Sequence, residues 1–599
     1  LKLYSGNITS DIESLKIKKS ERDFYKDISE RLEGTAISKI VPCKGISLDL
    51  MYIENNNILF MKFMDTSSDT YEILEEELIE VINEEYNTIK ANIDKFNLDI
   101  KYNIVYIMPY VRINRYVHSE EFIKYHIIDK TKYEYIVKDA NFLKRYFVGE
   151  NEETILNLFR FYICSEYHVV KSGIENRVIN RDFKRITFNH KNYNYSGLFL
   201  DYTQISKINS IKYCNSLVTG GSGSGKTTLL MSRSIKLSKL YPRDRFLFIT
   251  HSKHLMNNIK TEISVLQGDI DNLDIYNFHG FVIKLAKQFN LVVDFRKLNE
   301  NFNKYFNNIF LQVKNYLKDK VIYKGIFIDE GEKFDTDQIK FLESILYENK
   351  KILNISVDTG KNTSKAISIE TILNFINIDE FVELNYNYRQ TRNIVNFINK
   401  FTYNVEDYIT RKVNNNYEYK FQKTHSLRND GNKVQIIKVD TIDEKIETII
   451  WEINHLVYQK GLNFSDIVVV YPFNKRKLKN GNSIYFQYIL RKALENNGIP
   501  YIYGTDELNS LEEKQGVTIT NICFANNVEY RAVIFCEIEM LYDHKINPDL
   551  TNYKKSKFVC NLNIVYTALT RSIDFLTIIT TLKNEESDIM DMLNNSLDF

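Results

Sequence analysis

The 599-residue chain is long enough for three or four domains with real cores, and its 79 basic against 78 acidic side chains leave a formal net charge of +1. A balance this even excludes a general attraction to nucleic acid, so any such surface has to be a local patch. Six scattered cysteines with no C-x-x-C pair argue against a zinc ribbon or disulfide framework, and the lack of a long apolar run or secretion-signal core leads to the expectation of a soluble, cytoplasmic protein with no membrane partner.

In chain order, residues 1–150 carry the strand-like runs ISLDLMYI, NILFMKFM and NIVYIMPY and are expected to form a separate α/β unit. A helical, locally basic connector is expected over 151–195, where Arg177, Arg181, Lys184 and Arg185 fit either a solvated linker or a phosphate-binding patch. From about residue 196, short apolar runs alternate with helical patterns: NSLVTG, RFLFIT, GIFIDE and KILNISVD, then VQIIKV, DIVVVYP and AVIFCEIE. Such alternation predicts parallel sheets. A polar, turn-rich stretch places a division near 396–432, giving α/β units at 196–395 and 396–599 with a cleft between them, and a small insertion near 281–322.

The run LVTGGSGSGKTTLL fits the phosphate-loop spacing G-x-x-x-x-G-K-[ST]. Gly220, Gly221, Ser222, Gly223, Ser224 and Gly225 would curl so that backbone N–H groups face a phosphate, a conformation that a Cβ obstructs. Lys226 would reach the β and γ oxygens, Thr227 would ligate Mg²⁺, and the helix through Thr228 would aim its positive end at the anion. The competing reading is a plain glycine-rich turn between strand and helix. About 100 residues later, YKGIFIDEGEKFD supplies a buried strand ending in Asp329 and Glu330, the first suited to the Mg²⁺ shell and the second to activating a water. ATP and Mg²⁺ are therefore the expected cofactors.

The order of these motifs resembles the superfamily 1 helicases of the UvrD, Rep and PcrA type. LDYTQ, with Gln204, is similar to their adenine-reading Q motif; FLFITHSKHLMNNI and YNFHGFVIKLA resemble motifs that lie near single-stranded DNA, which would make His251, Phe278 and His279 strand contacts. LNYNYRQTRNIVNFI resembles motif IV, implying adenine stacking by Tyr388 and an arginine finger at Arg389. IVYTALTRSIDFLTII resembles motif VI, implying a second finger at Arg571. The resemblance implies two RecA-like parallel-sheet domains of the P-loop NTPase class that close on ATP, with DNA, single-stranded or partly duplex, as partner.

The sequence departs from that pattern in places. SVDTGKNT keeps Asp358 but offers no glutamine as a γ-phosphate sensor, and in TNICFANNVEYRAVIF only Glu529, the implied ribose contact, remains of motif V, whose other positions are Cys523, Asn526, Asn527 and Val528. Residues 18–110 resemble a nuclease-related (NERD) domain, aligning Glu21, Asp49 and Lys62, but Phe60 stands at a glutamate position and cannot hold a hard cation. The expected fold is thus α/β: two RecA-like domains preceded by a degenerate nuclease-like α/β domain. The expected function is an ATP-dependent DNA helicase or translocase acting in repair or defence against foreign DNA. Its rival is a nucleotide-gated DNA-binding or scaffold subunit serving a partner protein such as a nuclease.

Overall fold

The computed structural model describes residues 2–3, 17–113, 124–172, 185–190, 193–200, 202–209, 214–267, 270–294, 296, 298, 301–318, 320–349, 351–360, 369–412, 421–474, 476–477, 483–504, 516–522, 525, 529–541, 544–545, 551–582 and 586–597. The first sheet contains β1 (Lys2–Leu3), β2 (Thr35–Cys43), β3 (Ile46–Glu54), β4 (Asn57–Phe63), β5 (Tyr102–Ile107) and β6 (Ile127–Ile128), side by side in that order. β2, β3 and β4 form an antiparallel meander, and β4, β5 and β6 run parallel. Helices cover both faces, which is why NILFMKF reads as a nearly continuous apolar run. Leu59, Met61 and Phe63 pack with Phe24, Tyr25 and Ile28 of the helix Lys19–Ile28. Phe60, on the other face, packs with Ile82, Ile89 and Ile93 of the helix Ser68–Asp94.

The stretch expected as a helical connector is different. After the helix Glu153–Ile163 come three antiparallel strands, β7 (His168–Ser172), β8 (Arg185–His190) and β9 (Tyr193–Phe199), with β9 in the middle. RITFNH and YNYSGLF are rich in β-branched and aromatic residues, a strand signal that the basic residues of the region obscured. Arg177, Arg181 and Lys184 lie outside the described residues.

A second six-stranded sheet follows, built from β10 (Asn215–Gly220), β11 (Phe246–Thr250), β12 (Leu273–Asn277), β13 (Gly325–Asp329), β14 (Ile352–Asp358) and β15 (Glu380–Leu384). Its order is β12-β11-β13-β14-β10-β15 and every pairing is parallel. The helix Lys226–Leu240 is buried almost all round, because the first sheet's core continues onto it. Its Lys236 and Lys239 reach the Tyr167 hydroxyl at 2.7 Å and Glu166 at 2.9 Å.

Two short strands, β16 (Tyr386–Asn387) and β17 (His425–Ser426), pair in parallel and lead into the third large sheet. That sheet holds β18 (Gln435–Lys438), β19 (Ile467–Tyr471), β22 (Tyr501–Tyr503), β23 (Val517–Asn521), β24 (Tyr530–Cys536) and β25 (Ser572–Thr580), a small hairpin of β20 (Arg476–Lys477) and β21 (Ser483–Ile484) standing apart. The order is β18-β25-β24-β19-β23-β22, again all parallel. The division set at 395/396 falls inside the helix Arg392–Lys412, whose Ile394, Phe397, Phe401 and Val405 pack in the core of this third sheet. The periodic apolar face of that helix ties it to the unit that follows, so the core of the last unit begins near residue 392.

Candidate nucleotide site

The phosphate loop leaves the carboxyl end of β10, where open parallel sheets bind ligands, and ends at the first residue of the helix Lys226–Leu240. Gly223 and Gly225 have φ of +82° and +89°, which side chains disfavour, and each is also crowded: a Cβ at Gly223 would meet the Asn387 carboxamide at 2.8 Å, and one at Gly225 the Gln204 amide at 2.8 Å. Lys226 Nζ donates to the carbonyls of Gly220 (2.9 Å) and Gly221 (2.8 Å) and lies 3.6 Å from Asp358. The buried Ser224 hydroxyl has no hydrogen-bond partner among the described residues, an orphaned polar atom in a cradle that a phosphate would complete. Thr228 follows in the first helical turn.

Three acidic groups stand at the neighbouring strand ends. Asp329 closes β13 and accepts from the Thr227 hydroxyl at 2.6 Å and from the Ser356 hydroxyl. Burial pushes its carboxyl above the usual carboxylate range, with the two hydroxyl bonds opposing. Thr227 and Asp329 fit a magnesium ion, which takes few protein ligands and shares the rest with phosphate and water. Glu330 has φ of +55°, a strained conformation for a non-glycine residue, and is held by its N–H to Ser356 Oγ (3.2 Å) and by Lys333 Nζ (2.8 Å). Asp358, at the end of β14, accepts from the Gly360 N–H at 3.0 Å, and its own N–H donates to Glu332 at 3.1 Å.

Residues from beyond β15 complete the site. Arg389 Nη1 donates to Ser222 Oγ at 3.1 Å and to the Thr570 carbonyl at 3.4 Å, and its other terminal nitrogen ion-pairs with Glu529. The Tyr388 N–H donates to the Gly223 carbonyl at 3.0 Å, which puts Tyr388 and Gln204 beside the same turn of the loop. Arg571 does not lie on the loop itself. It is buried just beyond the end of the helix Asn552–Leu569, with Nε on the Thr567 carbonyl at 3.2 Å. Burial, and after it the neighbouring Arg389 charge, lower its pKa to about 10, with Glu529, Asp358 and Glu330 opposing. It stays charged at neutral pH.

Two contacts on the loop were missed in the sequence. Tyr566 accepts from the Ser222 N–H at 3.2 Å and donates to Asp358 Oδ1 at 3.3 Å, and Asn387 Nδ2 donates to the Ser222 carbonyl at 3.0 Å. Both sit within the quoted runs that contain Arg571 and Arg389, so the signal was present; nothing in it marked these two polar groups.

The expected strand contacts divide. Phe278 is 0% exposed and packs edge-on against Phe306, Phe310 and Phe334, so it is a core residue: a ring without free surface cannot stack on a base. His251 and His279 are partly exposed and meet edge to face at 4.9 Å. Phe302, 42% exposed, lies 5.1 Å from His279. Burial lowers both imidazoles, His279 to about 4.

In the first sheet, Glu21 and Asp49 are buried and close enough to raise the Glu21 carboxyl, though burial is the larger cause and Lys39 opposes it. Asp49 pairs with Lys18 at 2.8 Å, and Glu21 lies 3.5 Å from Lys39. Lys62 is not part of this group. Two residues after Phe60 on β4, it shares that residue's face and pairs with Glu85 at 2.5 Å, because strand alternation turns it away from the helix that carries Glu21. Cys523, Asn526, Asn527 and Val528 lie outside the described residues.

Residues 202–471 match the family model of the UvrD/REP helicase N-terminal domain. No curated protein matches the chain. The match spans the phosphate loop, Asp329, Glu330, Asp358 and Arg389, and it supports a DNA helicase or translocase in general, with ATP hydrolysis as its chemistry. Among the described residues no helix is long and apolar enough to cross a membrane.

Proposed function

We propose, from that match and from the site, that the chain is an ATP-dependent DNA helicase or single-strand translocase in which two RecA-like units, about 196–391 and 392–599, close on MgATP. The observation that carries this reading is the reach of Arg389 onto Ser222 Oγ, 3.1 Å away, while the same side chain donates to the Thr570 carbonyl at the end of the helix Asn552–Leu569, just before Arg571. Bound in the loop, MgATP would supply a phosphoanhydride whose hydrolysis is favourable. Lys226 and the loop amides would orient it, Thr227 and Asp329 would hold the cation, and Glu330 would position the attacking water. Gln204 and Tyr388 flank the loop where an adenine would sit, and Glu529 is the candidate ribose contact. A charged finger that arrives only on closure is worth about 10³ to 10⁵ in rate, which couples hydrolysis to movement. Single-stranded DNA would run past His251, His279 and Phe302.

The N-terminal unit is read as nuclease-like but not cutting. What supports this is the Glu21–Asp49 pair without Lys62, alongside lysines that already pair with both carboxylates. Repair or defence against foreign DNA, and a partner protein docked on that unit, are proposed on the same footing.

The test is steady-state ATP hydrolysis with and without single-stranded DNA, beside Lys226→Ala and Glu330→Gln. Stimulation by DNA that both variants abolish supports the motor. Hydrolysis indifferent to DNA, with assembly on a partner that responds to nucleotide, would instead select the gated scaffold.

A further inference from the structure

Arg389 is aimed at the phosphate loop, and its own backbone is held by a charge cluster whose central arginine, Arg428, lies outside every quoted motif run. Arg428, just beyond β17, is buried, and its guanidinium is shared: Nη1 donates to the Arg389 carbonyl at 2.7 Å and to the Ile573 carbonyl at 3.4 Å, while Nη2 pairs with Asp574 Oδ1 at 2.7 Å. The second oxygen of Asp574 accepts from Arg531 Nε at 2.9 Å. One carboxylate on β25 therefore serves two guanidiniums. Through them it joins three segments that reach the site: the turn carrying Arg389, the stretch from Glu529 to Arg531, and the strand that begins immediately after Arg571. The same turn is pinned by the Thr391 N–H on the Ile573 carbonyl at 3.1 Å and by Ser426 Oγ on the Gln390 carbonyl at 2.6 Å.

The sharing of charges gives this arrangement a purpose. Four guanidiniums, those of Arg389, Arg428, Arg531 and Arg571, share Glu529, Asp574 and Asp466 as ion-pair partners, with Asp358 and Glu330 acting on Arg571 as well. Arg389 and Arg571 carry like charges in one neighbourhood, the Arg389 charge adding to the burial that lowers the Arg571 pKa, so their spacing depends on how each is held. A buried carboxylate that accepts two planar forks fixes geometry better than an exposed pair would, since each fork has defined donor directions.

We propose that Asp574 and Arg428 are positioning residues for the Arg389 finger: the shared carboxylate orients Arg428, and Arg428 clamps the finger's carbonyl, setting where its guanidinium stands relative to Arg571. Neither side chain is assigned a contact with the nucleotide. This rests on the ATPase reading above.

The experiment is a double-mutant cycle on ATP hydrolysis by the full-length protein, with Arg428→Gln, Arg389→Ala and the combination, alongside Asp574→Asn and Arg428→Lys. Displacing a catalytic group by about 1 Å can cost on the order of 100-fold, so Arg428→Gln and Asp574→Asn are expected to lower kcat by about 10- to 100-fold with little change in the KM for ATP. On the Arg389→Ala background, Arg428→Gln is expected to cost less than about twofold more, because the group it positions is already gone. Arg428→Lys restores the charge opposite Asp574 but cannot also satisfy the carbonyl, so its kcat falls between wild type and Gln. Full additivity in the cycle overturns the proposal, as does a loss confined to the folded fraction with kcat per folded molecule unchanged. A wild-type protein that binds MgATP without hydrolysing it would overturn the ATPase reading itself, and the positioning role with it.

Discussion

The Tyr566 hydroxyl accepts a hydrogen bond from the Ser222 N–H of the phosphate loop at 3.2 Å and donates one to Asp358 at 3.3 Å, bridging two segments of the nucleotide site from more than 200 positions further along the chain. Its ring lies so close over Gly360 that a Cβ there would come within 2.1 Å of it. The bridge occupies an amide of the kind that a phosphate loop offers to its ligand.

Tyr566→Phe should therefore release the Ser222 amide. Removing one hydrogen bond that competes with the ligand is worth roughly 0.5–1.5 kcal/mol, so affinity for a non-hydrolysable MgATP analogue is expected to rise about three- to tenfold by calorimetric titration. Weaker binding would show instead that the hydroxyl stays with the bound nucleotide.

Asp329 makes a second case. Its pKa is raised by burial, so ionising the carboxyl costs folded-state stability as pH rises through the folded value, a cost that an asparagine does not carry. Asp329→Asn is expected to raise the melting midpoint of the nucleotide-free protein by about 2 °C or more, and to abolish the further rise that MgATP gives to wild type. A lower midpoint without nucleotide would contradict the assignment.

Phe278 and Phe302 should part company when truncated. Phe278→Ala empties a packed aromatic cluster and should cost about 3–5 kcal/mol of stability in urea titration. Phe302→Ala should leave stability nearly unchanged but weaken binding to single-stranded DNA by about five- to tenfold, near the low end for a lost base stack. Unchanged DNA affinity in a folded Phe302→Ala protein would move the strand away from this face.

His168 sets an acid limit on stability. Burial lowers its pKa to about 3, Arg160 adding to the effect, while Nδ1 donates to the Cys164 carbonyl at 2.9 Å. The folded value lies below the unfolded one of about 6.5, so the stabilisation is complete above that pH and is lost as pH falls from about 6.5 toward 3, at up to about 1.4 kcal/mol per pH unit. Urea midpoints measured from pH 7 to pH 5 should fall less steeply in His168→Gln than in wild type. Parallel profiles would rule His168 out as the group responsible.

Much of the sequence already spoke for itself, and the reason is locality. Phosphate-loop glycines, the strand ending in Asp329 and Glu330, and the apolar runs of β10, β11, β13, β14, β19 and β24 depend on neighbours within a few residues, so spacing and patterning betray them. Strands β7 to β9 were hidden because a handful of basic residues outweighed a β-branched signal. What only the tertiary structure decided are relationships across long separations. Phe278 looked available until Phe306, Phe310 and Phe334 closed over it, and Lys62 looked aligned with Glu21 until the pleat placed it opposite Glu85. The Arg428–Asp574 pair joins residues 146 positions apart, and Tyr566 finds Ser222 across 344. No local pattern encodes such partners, because a polar side chain gains a defined partner only where folding has removed water and left it one acceptor or donor to choose.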